Sequence, residues 1–368
     1  MSQSSFLLVV MTSLLLTACG GTNSSSAKLK SANSELNLAA TEAIDYTIIP
    51  AANNFQQQVQ ALVSSSESFC SANNITEENL ITLQTQWQAT NYAWFELLPY
   101  RFGPMINSEV LPTYIFIDYH RQRGSDSTDT VRSNIDSLIA TNSDNEFAAR
   151  LTQIGANGLG LLALEVVLFE DAANQSKEAT DIVAEFQSTA RKCDVLTEFG
   201  HKLLNRANDI QQGWTTNYRA TGKSYRDLII NNQLEAVLDD ESGASAIKTL
   251  MVSMQEFYDY LAKRDVTTNV AQISETTWLA LGHSVSSTEA LLAGTDQTTI
   301  SLNAIMKNNR FEQTVSNIEA NLKTLKLALE EKNTISTQSI AGTLDGNFKR
   351  DIPDALNINL GLNFSDGD

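Results

Sequence analysis

The chain is poor in turn-forming residues: five prolines and 17 glycines occur in 368 residues. A β-sandwich or barrel, with a turn about every 8–12 residues, needs more of both. A composition rich in Ala, Leu, Gln, Asn and Ser suits long helices. Positive charge is scarce, 25 Lys+Arg against 43 Asp+Glu, for a formal net charge of −18. Phosphate backbones demand a basic face, so a nucleic-acid partner is excluded. The carboxylate surplus is compatible with cations and is foremost a solubilising surface. Only three histidines are present. His120, His201 and His283 have no carboxylate at metal-ligand spacing on an apolar face and read as surface or capping residues. His120 is the least ordinary, because Asp118-Tyr119-His120 follows an aromatic segment. Neither Gly-Xaa-Ser-Xaa-Gly nor His-Glu-Xaa-Xaa-His occurs, which leaves serine- and zinc-hydrolase readings without support.

One long apolar run opens the chain, Phe6 to Leu16, too short to cross a bilayer as a mature helix and of the length of a signal-peptide core. It ends in Leu16-Thr17-Ala18-Cys19, which resembles the lipobox of bacterial lipoproteins. The resemblance implies cleavage after residue 18, lipidation of Cys19 and a membrane anchor through that lipid. Gly20 after the cysteine resembles lipoproteins passed on to the outer membrane of Gram-negative bacteria. Cys70 and Cys193 remain, with only one intrachain pairing open to them. Export to an oxidising compartment favours a Cys70–Cys193 bridge over two separate buried thiols.

Residues 19–40 are Ser- and Asn-rich and read as a flexible tether. Beyond them, apolar residues recur at three- to four-residue steps. Ile44, Ile48, Phe55, Val59 and Leu62 mark a first helix, with Pro50 as a break or kink. Thr76 followed by Glu77 and Glu78 marks the start of a second helix, reaching Leu97. Ala179 to Tyr218 reads as one long helix. Later amphipathic segments cover 228–239, 244–265, 270–294 and 299–333. The expected fold is all-α, two antiparallel helical bundles over 41–221 and 222–340. A loop-like tail, 341–368, packs on the body.

The most unusual stretch is Gly155 to Glu170. Three glycines lead into nine residues, Leu161 to Phe169, that carry a single charge, Glu165. An unpaired buried carboxylate is costly. Glu165 therefore needs a partner, a raised pKa or a function; its ordinary roles are an ion pair or a reach to the helix surface.

Gly160-Leu161-Leu162-Ala163-Leu164-Glu165 resembles the Gly-Xaa-His-Xaa-Xaa-Glu motif of imelysin-like proteins. These exported bacterial proteins are grouped with the insulin-cleaving membrane protease, iron-regulated proteins and the periplasmic component of a ferrous-iron uptake system. Trp87 through Tyr100-Arg101-Phe102-Gly103-Pro104 is similar to the family's aromatic segment ending in Arg-Phe-Gly-Pro. Gly361 to Asp368 is similar to its Asp-Gly-Asp tail. The match spans residues 40 to 368. The motif histidine is here Leu162, so the i, i+3 pair that could hold a metal or share a proton is missing.

The resemblance implies a cell-envelope lipoprotein that binds a metal or small ligand, with iron or another divalent metal as the implied cofactor. A role as a binding protein linked to metal acquisition fits better than an active peptidase. The alternatives are a metallopeptidase that recruits a replacement ligand, His120 or Glu96, and a structural partner of an outer-membrane complex. The expected pocket gathers Gly160, Glu165, Glu96, His120 and the Arg101-Phe102-Gly103-Pro104 turn, with Arg101 as a bidentate partner of Glu165.

Overall fold

The computed structural model describes residues 22–71, 73–106, 111–118, 127–171, 177–238, 245–264 and 270–360. Cys19 and the signal segment, His120, and the Asp-Gly-Asp tail lie outside them. Among the described residues there are helices and no strands. No helix among them is long and apolar enough to cross a membrane.

The helices, in chain order, are α1 (Thr22–Ala43), α2 (Ile49–Phe69), α3 (Glu77–Leu97), α4 (Thr128–Ile139), α5 (Asp144–Gln153), α6 (Leu161–Phe169), α7 (Ala179–Ser188) and α8 (Ala190–Thr215). There follow α9 (Tyr225–Ile230), α10 (Leu234–Val237), α11 (Ala246–Lys263), α12 (Thr277–Ala293), α13 (Leu302–Asn308), α14 (Glu312–Glu330), α15 (Thr334–Gly346) and α16 (Ile352–Leu356). In the first half, α2 packs between α3 and α8. In the second, α11 packs on α15, and α14 lies against both α15 and α12. Helix α12 also packs along α3, which carries the core across residue 222.

Side-chain caps set several helix starts. Thr76 accepts the Asn79 N–H at 3.3 Å, as its place before Glu77-Glu78 foretold. Ser143, Ser224, Ser301 and Asn333 cap α5, α9, α13 and α15 in the same way. Pro50 does not break its helix. A π turn over Ile44–Ile48 precedes it, and Pro50 falls in the first turn of α2. Proline lacks the N–H an α-helix needs and crowds the carbonyl four residues back; a widened turn accommodates both. The device recurs at the other end of the chain, where a π turn over Asn347–Asp351 precedes Pro353 in α16.

Three expectations need correction. The tether does not extend to residue 40: α1 is helical from Thr22, and Ala39, Ala40 and Ala43 are buried. Helix α1 packs on α11 and α13, with these small side chains on its buried side. Residues 179–218 are not one helix, because Thr189 adopts φ −131, ψ 85 between α7 and α8. Nor is the segment from 341 loop-like. Helices α15 and α16 and their π turn run to residue 356, with Leu344, Phe348 and Ile352 fully buried.

Cys70 ends α2 and Cys193 lies in α8, and the two are bonded with Cα atoms 5.7 Å apart. The link closes 123 residues of separation across the α2–α8 contact. Removing that constraint on the unfolded chain costs about 2–4 kcal/mol. Cys70→Ala paired with Cys193→Ala is therefore expected to lower the urea-unfolding free energy by about that amount while leaving the helical circular-dichroism spectrum intact.

Candidate functional site

Helix α6 is apolar on every side, and all of residues 161–168 are buried. Its start depends on Gly160. That residue has φ +82, and a Cβ there would lie 2.3 Å from the Ile117 carbonyl oxygen. Its absence lets the chain approach residues 116–117, and the Leu161 N–H donates to the Ile117 carbonyl at 3.0 Å. Helix α3 fixes the other side: Trp87 Nε1 donates to the Leu161 carbonyl at 3.2 Å and Gln84 Nε2 to the Leu168 carbonyl at 2.8 Å.

Glu165 is the polar exception in this helix and is fully buried. Its partner is the turn that precedes α12. Oε2 accepts the Ala271 N–H at 2.9 Å, and Oε1 accepts the Ser274 N–H and hydroxyl, each at 2.9 Å. Ala271 and Glu275 adopt left-handed conformations, φ +78 and +60, in a turn that points donors at the carboxylate. Burial pushes the Glu165 pKa up to about 7, against the lowering by these three donors.

The Arg101 pair does not form. Trp87 and Gln84 place α6 beside residues 84–87, and Arg101 lies 14 to 17 positions further along, roughly 20 Å at helical rise. The Arg101 guanidinium instead sits over the Tyr114 and Tyr260 rings, 5.5 and 6.0 Å from their centroids. Phe102 meets Trp214 edge to face at 5.4 Å. Gly103, at φ +53, lies where a Cβ would be 2.5 Å from the Tyr225 ring, and Pro104 packs on Gly213. The Arg-Phe-Gly-Pro turn is thus a packing knot on α8 and α9, held by aromatic contacts and apart from Glu165.

Glu96 has a different neighbour, one that sequence reasoning passed over. Its Oε1 lies 3.1 Å from His283 Nδ1, and its Oε2 accepts from Asn54 Nδ2 at 3.0 Å. The imidazole stacks on Tyr92 with ring centroids 4.8 Å apart and planes 6° from parallel. A carboxylate only accepts, so Nδ1 is the donor, and in the neutral ring the lone pair falls on Nε2. His283 borders two surface grooves of about 400 and 420 Å³, one toward Pro50 and Asn54, the other toward Trp278 and Glu330. Both side chains are about one-third exposed, His283 at 34% and Glu96 at 32%. Glu96 and His283 are 187 positions apart, and no local spacing could have paired them. His201 is an ordinary surface residue, 3.1 Å from Glu67.

The expected pocket residues are therefore dispersed. Gly160 borders a cleft with Lys202 and Arg206, Glu96 borders the His283 groove, and Glu165 lines neither. At the motif position a metal does not fit: Leu162 offers no donor atom, and both Glu165 oxygens already accept protein hydrogen bonds. Among the described residues, no group of three or more His, Cys, Asp or Glu side chains is gathered to hold a metal ion.

Between pH 4.5 and 7 the folded chain keeps a proton on Glu165 that the unfolded chain has lost, so stability falls as pH rises through that window. A shift from 4.5 to about 7 corresponds to about 3 kcal/mol. Glu165→Gln carries a constant offset and no titration. In urea unfolding, the wild type is expected to lose about 3 kcal/mol relative to this variant between pH 4.5 and 8, and a parallel pair of pH profiles would refute the assignment.

The family model described as Imelysin (Peptidase_M75) matches residues 48–352. No curated protein matches the chain. Among solved structures, an imelysin-like protein from Psychrobacter arcticum 273-4 is similar at 17% identity and a TM-score of 0.64, covering 90% of this chain and 98% of that one. A candidate iron-regulated protein A precursor from Parabacteroides distasonis ATCC 8503 is similar at 12% identity and a TM-score of 0.63, covering 88% of this chain and 95% of that one. These two share the fold. With the family match extending over most of its length, the chain belongs to the imelysin family.

Proposed function

We propose that this protein is a ligand-binding lipoprotein of the cell envelope, engaged in metal acquisition, and that it does not act as a peptidase. The observation that carries this reading is the state of Glu165. A general base needs a lone pair directed at a water or substrate. Both Glu165 oxygens are instead directed at Ala271 and Ser274 of its own chain, in a fully buried setting. Leu162 supplies neither a ligand nor a base.

The link to metal acquisition draws on the relative named for iron regulation. The group on this chain best suited to first contact with a metal is His283. A metal-ligating histidine commonly donates its other ring N–H to a carboxylate, which fixes the ring and makes the free nitrogen more basic. Glu96 stands in that relation to His283, and Glu330 borders the other of the two grooves that His283 faces. Anchorage through lipidated Cys19 would hold the groove at the outer membrane, within reach of an envelope partner.

Calorimetry with zinc, copper and, under anoxic conditions, ferrous ion tests the proposal. Binding of about one equivalent is expected, weakened at least tenfold in His283→Ala and unchanged in Glu165→Gln, corresponding to about 1.4 kcal/mol or more. Cleavage of denatured insulin chains by the wild type, lost in Glu165→Gln, would overturn it.

A further inference from the structure

We propose that the cleft beside Gly160 is a second binding site, separate from the His283 groove, and that it takes a small amphipathic carboxylate. The cleft measures about 400 Å³, and the only charged side chains among its lining residues are two cations, Lys202 and Arg206. In a chain with a formal net charge of −18 that pairing runs against the background. The two lie on α8 at i, i+4, so they share a face and repel each other. An anion between them relieves that repulsion.

Among the described residues, neither cation makes a close ion pair. Arg206 meets Asp209 at 3.7 Å, and Asp209 is 59% exposed, a geometry of little energetic weight. The Arg206 guanidinium is instead steered by Phe116, 4.5 Å from the ring centroid, which keeps it against the cleft wall. Asn205 adds an amide between the two cations in sequence. Gly160, the residue that precedes α6, lines the same cleft; the Leu161 N–H is already given to the Ile117 carbonyl, so the start of α6 adds the positive end of a helix dipole and no donor.

Apart from Thr152 on the rim, the rest of the lining is apolar, including Leu151, Ile154 and Leu159. A bare inorganic anion would leave that wall unused, and a neutral hydrocarbon would leave the cations without a partner. At roughly 30 Å³ per non-hydrogen atom, the volume of a water in the liquid, the cleft holds about a dozen atoms. That matches a carboxylate on a chain of about ten carbons.

Decanoate, decanol and acetate are the probes, titrated by calorimetry into the full-length protein. Decanoate is expected to bind at least tenfold more tightly than either decanol or acetate, and its affinity to fall as salt is raised. Lys202→Gln with Arg206→Gln is expected to bring decanoate down to the level of decanol. Thr152→Phe, at an exposed position on the rim, places a ring in the cleft by an independent route and is expected to abolish binding of decanoate. His283→Ala is expected to leave decanoate binding unchanged, so failure of the metal proposal and failure of this one are told apart. Equal binding of decanoate and decanol, or decanoate binding that survives both the double charge variant and Thr152→Phe, would overturn the assignment.

Discussion

Glu165 sits on a helix with no solvent face, and a carboxylate so placed must find its hydrogen-bond donors inside the protein. Helix α6 is held by the Ile117 carbonyl at its start and by Trp87 and Gln84 along its length, so Glu165 has no freedom to turn outward. The donors come from the turn before α12, in the second half of the chain. A parallel arrangement lies at Glu42 of α1, whose carboxylate accepts from the Thr299 and Ile300 N–H groups at 2.8 and 3.0 Å and from the Thr299 hydroxyl at 2.5 Å. The two carboxylates differ in balance. Burial dominates at Glu165, whereas at Glu42 the hydrogen bonds outweigh burial and hold the carboxyl below its ordinary value.

These clamps act alongside hydroxyl-to-carbonyl bonds across the same seam. Tyr100 bonds the Ser287 carbonyl at 3.0 Å, Ser253 donates to the Pro99 carbonyl at 2.7 Å and Ser284 to the Phe95 carbonyl at 2.5 Å. Buried polar groups in such a seam specify one docking of α3 against α12, because any slip strands several of them at about 1–3 kcal/mol each. The family motif thereby acquires a structural meaning in this chain. Gly160 lets α6 approach residues 116–117, and Glu165 fastens that helix to the second half. With Leu162 in place of histidine, what survives of the motif is its architecture. The proposed binding chemistry lies elsewhere, at the Glu96–His283 pair and the cationic cleft.

Much of the fold was readable because it rests on local patterns. The spacing of Phe55, Val59 and Leu62 marks α2, and Thr76 before two glutamates marks the start of α3. The Cys70–Cys193 pairing, expected because only one intrachain pairing was open and export was expected, is the bond the structure holds. Features built from the backbone alone were not readable. The donors to Glu165 come chiefly from N–H groups, which every residue but proline carries, so Ala271 gives no signal in sequence. The break at Thr189 is hidden because Phe186, Ala190 and Cys193 keep helical spacing across it. Helix α1 is Ser-rich and reads as a tether, yet Ala39, Ala40 and Ala43 pack where larger side chains would hold the helices apart. The site residues were readable one by one and their grouping was not, since Glu96 meets its partner 187 positions away.

Amide hydrogen exchange at Ala271 and Ser274 tests the role of Glu165 most directly. In the wild type both amides exchange only through large opening of the structure, at the level of the core of α12. In Glu165→Ala they lose that protection, while the amides of α2 and α8 beside the disulfide keep theirs. Protection at Ala271 and Ser274 that is the same in both proteins would show that the carboxylate does not hold the turn, and would return Glu165 to the search for a function.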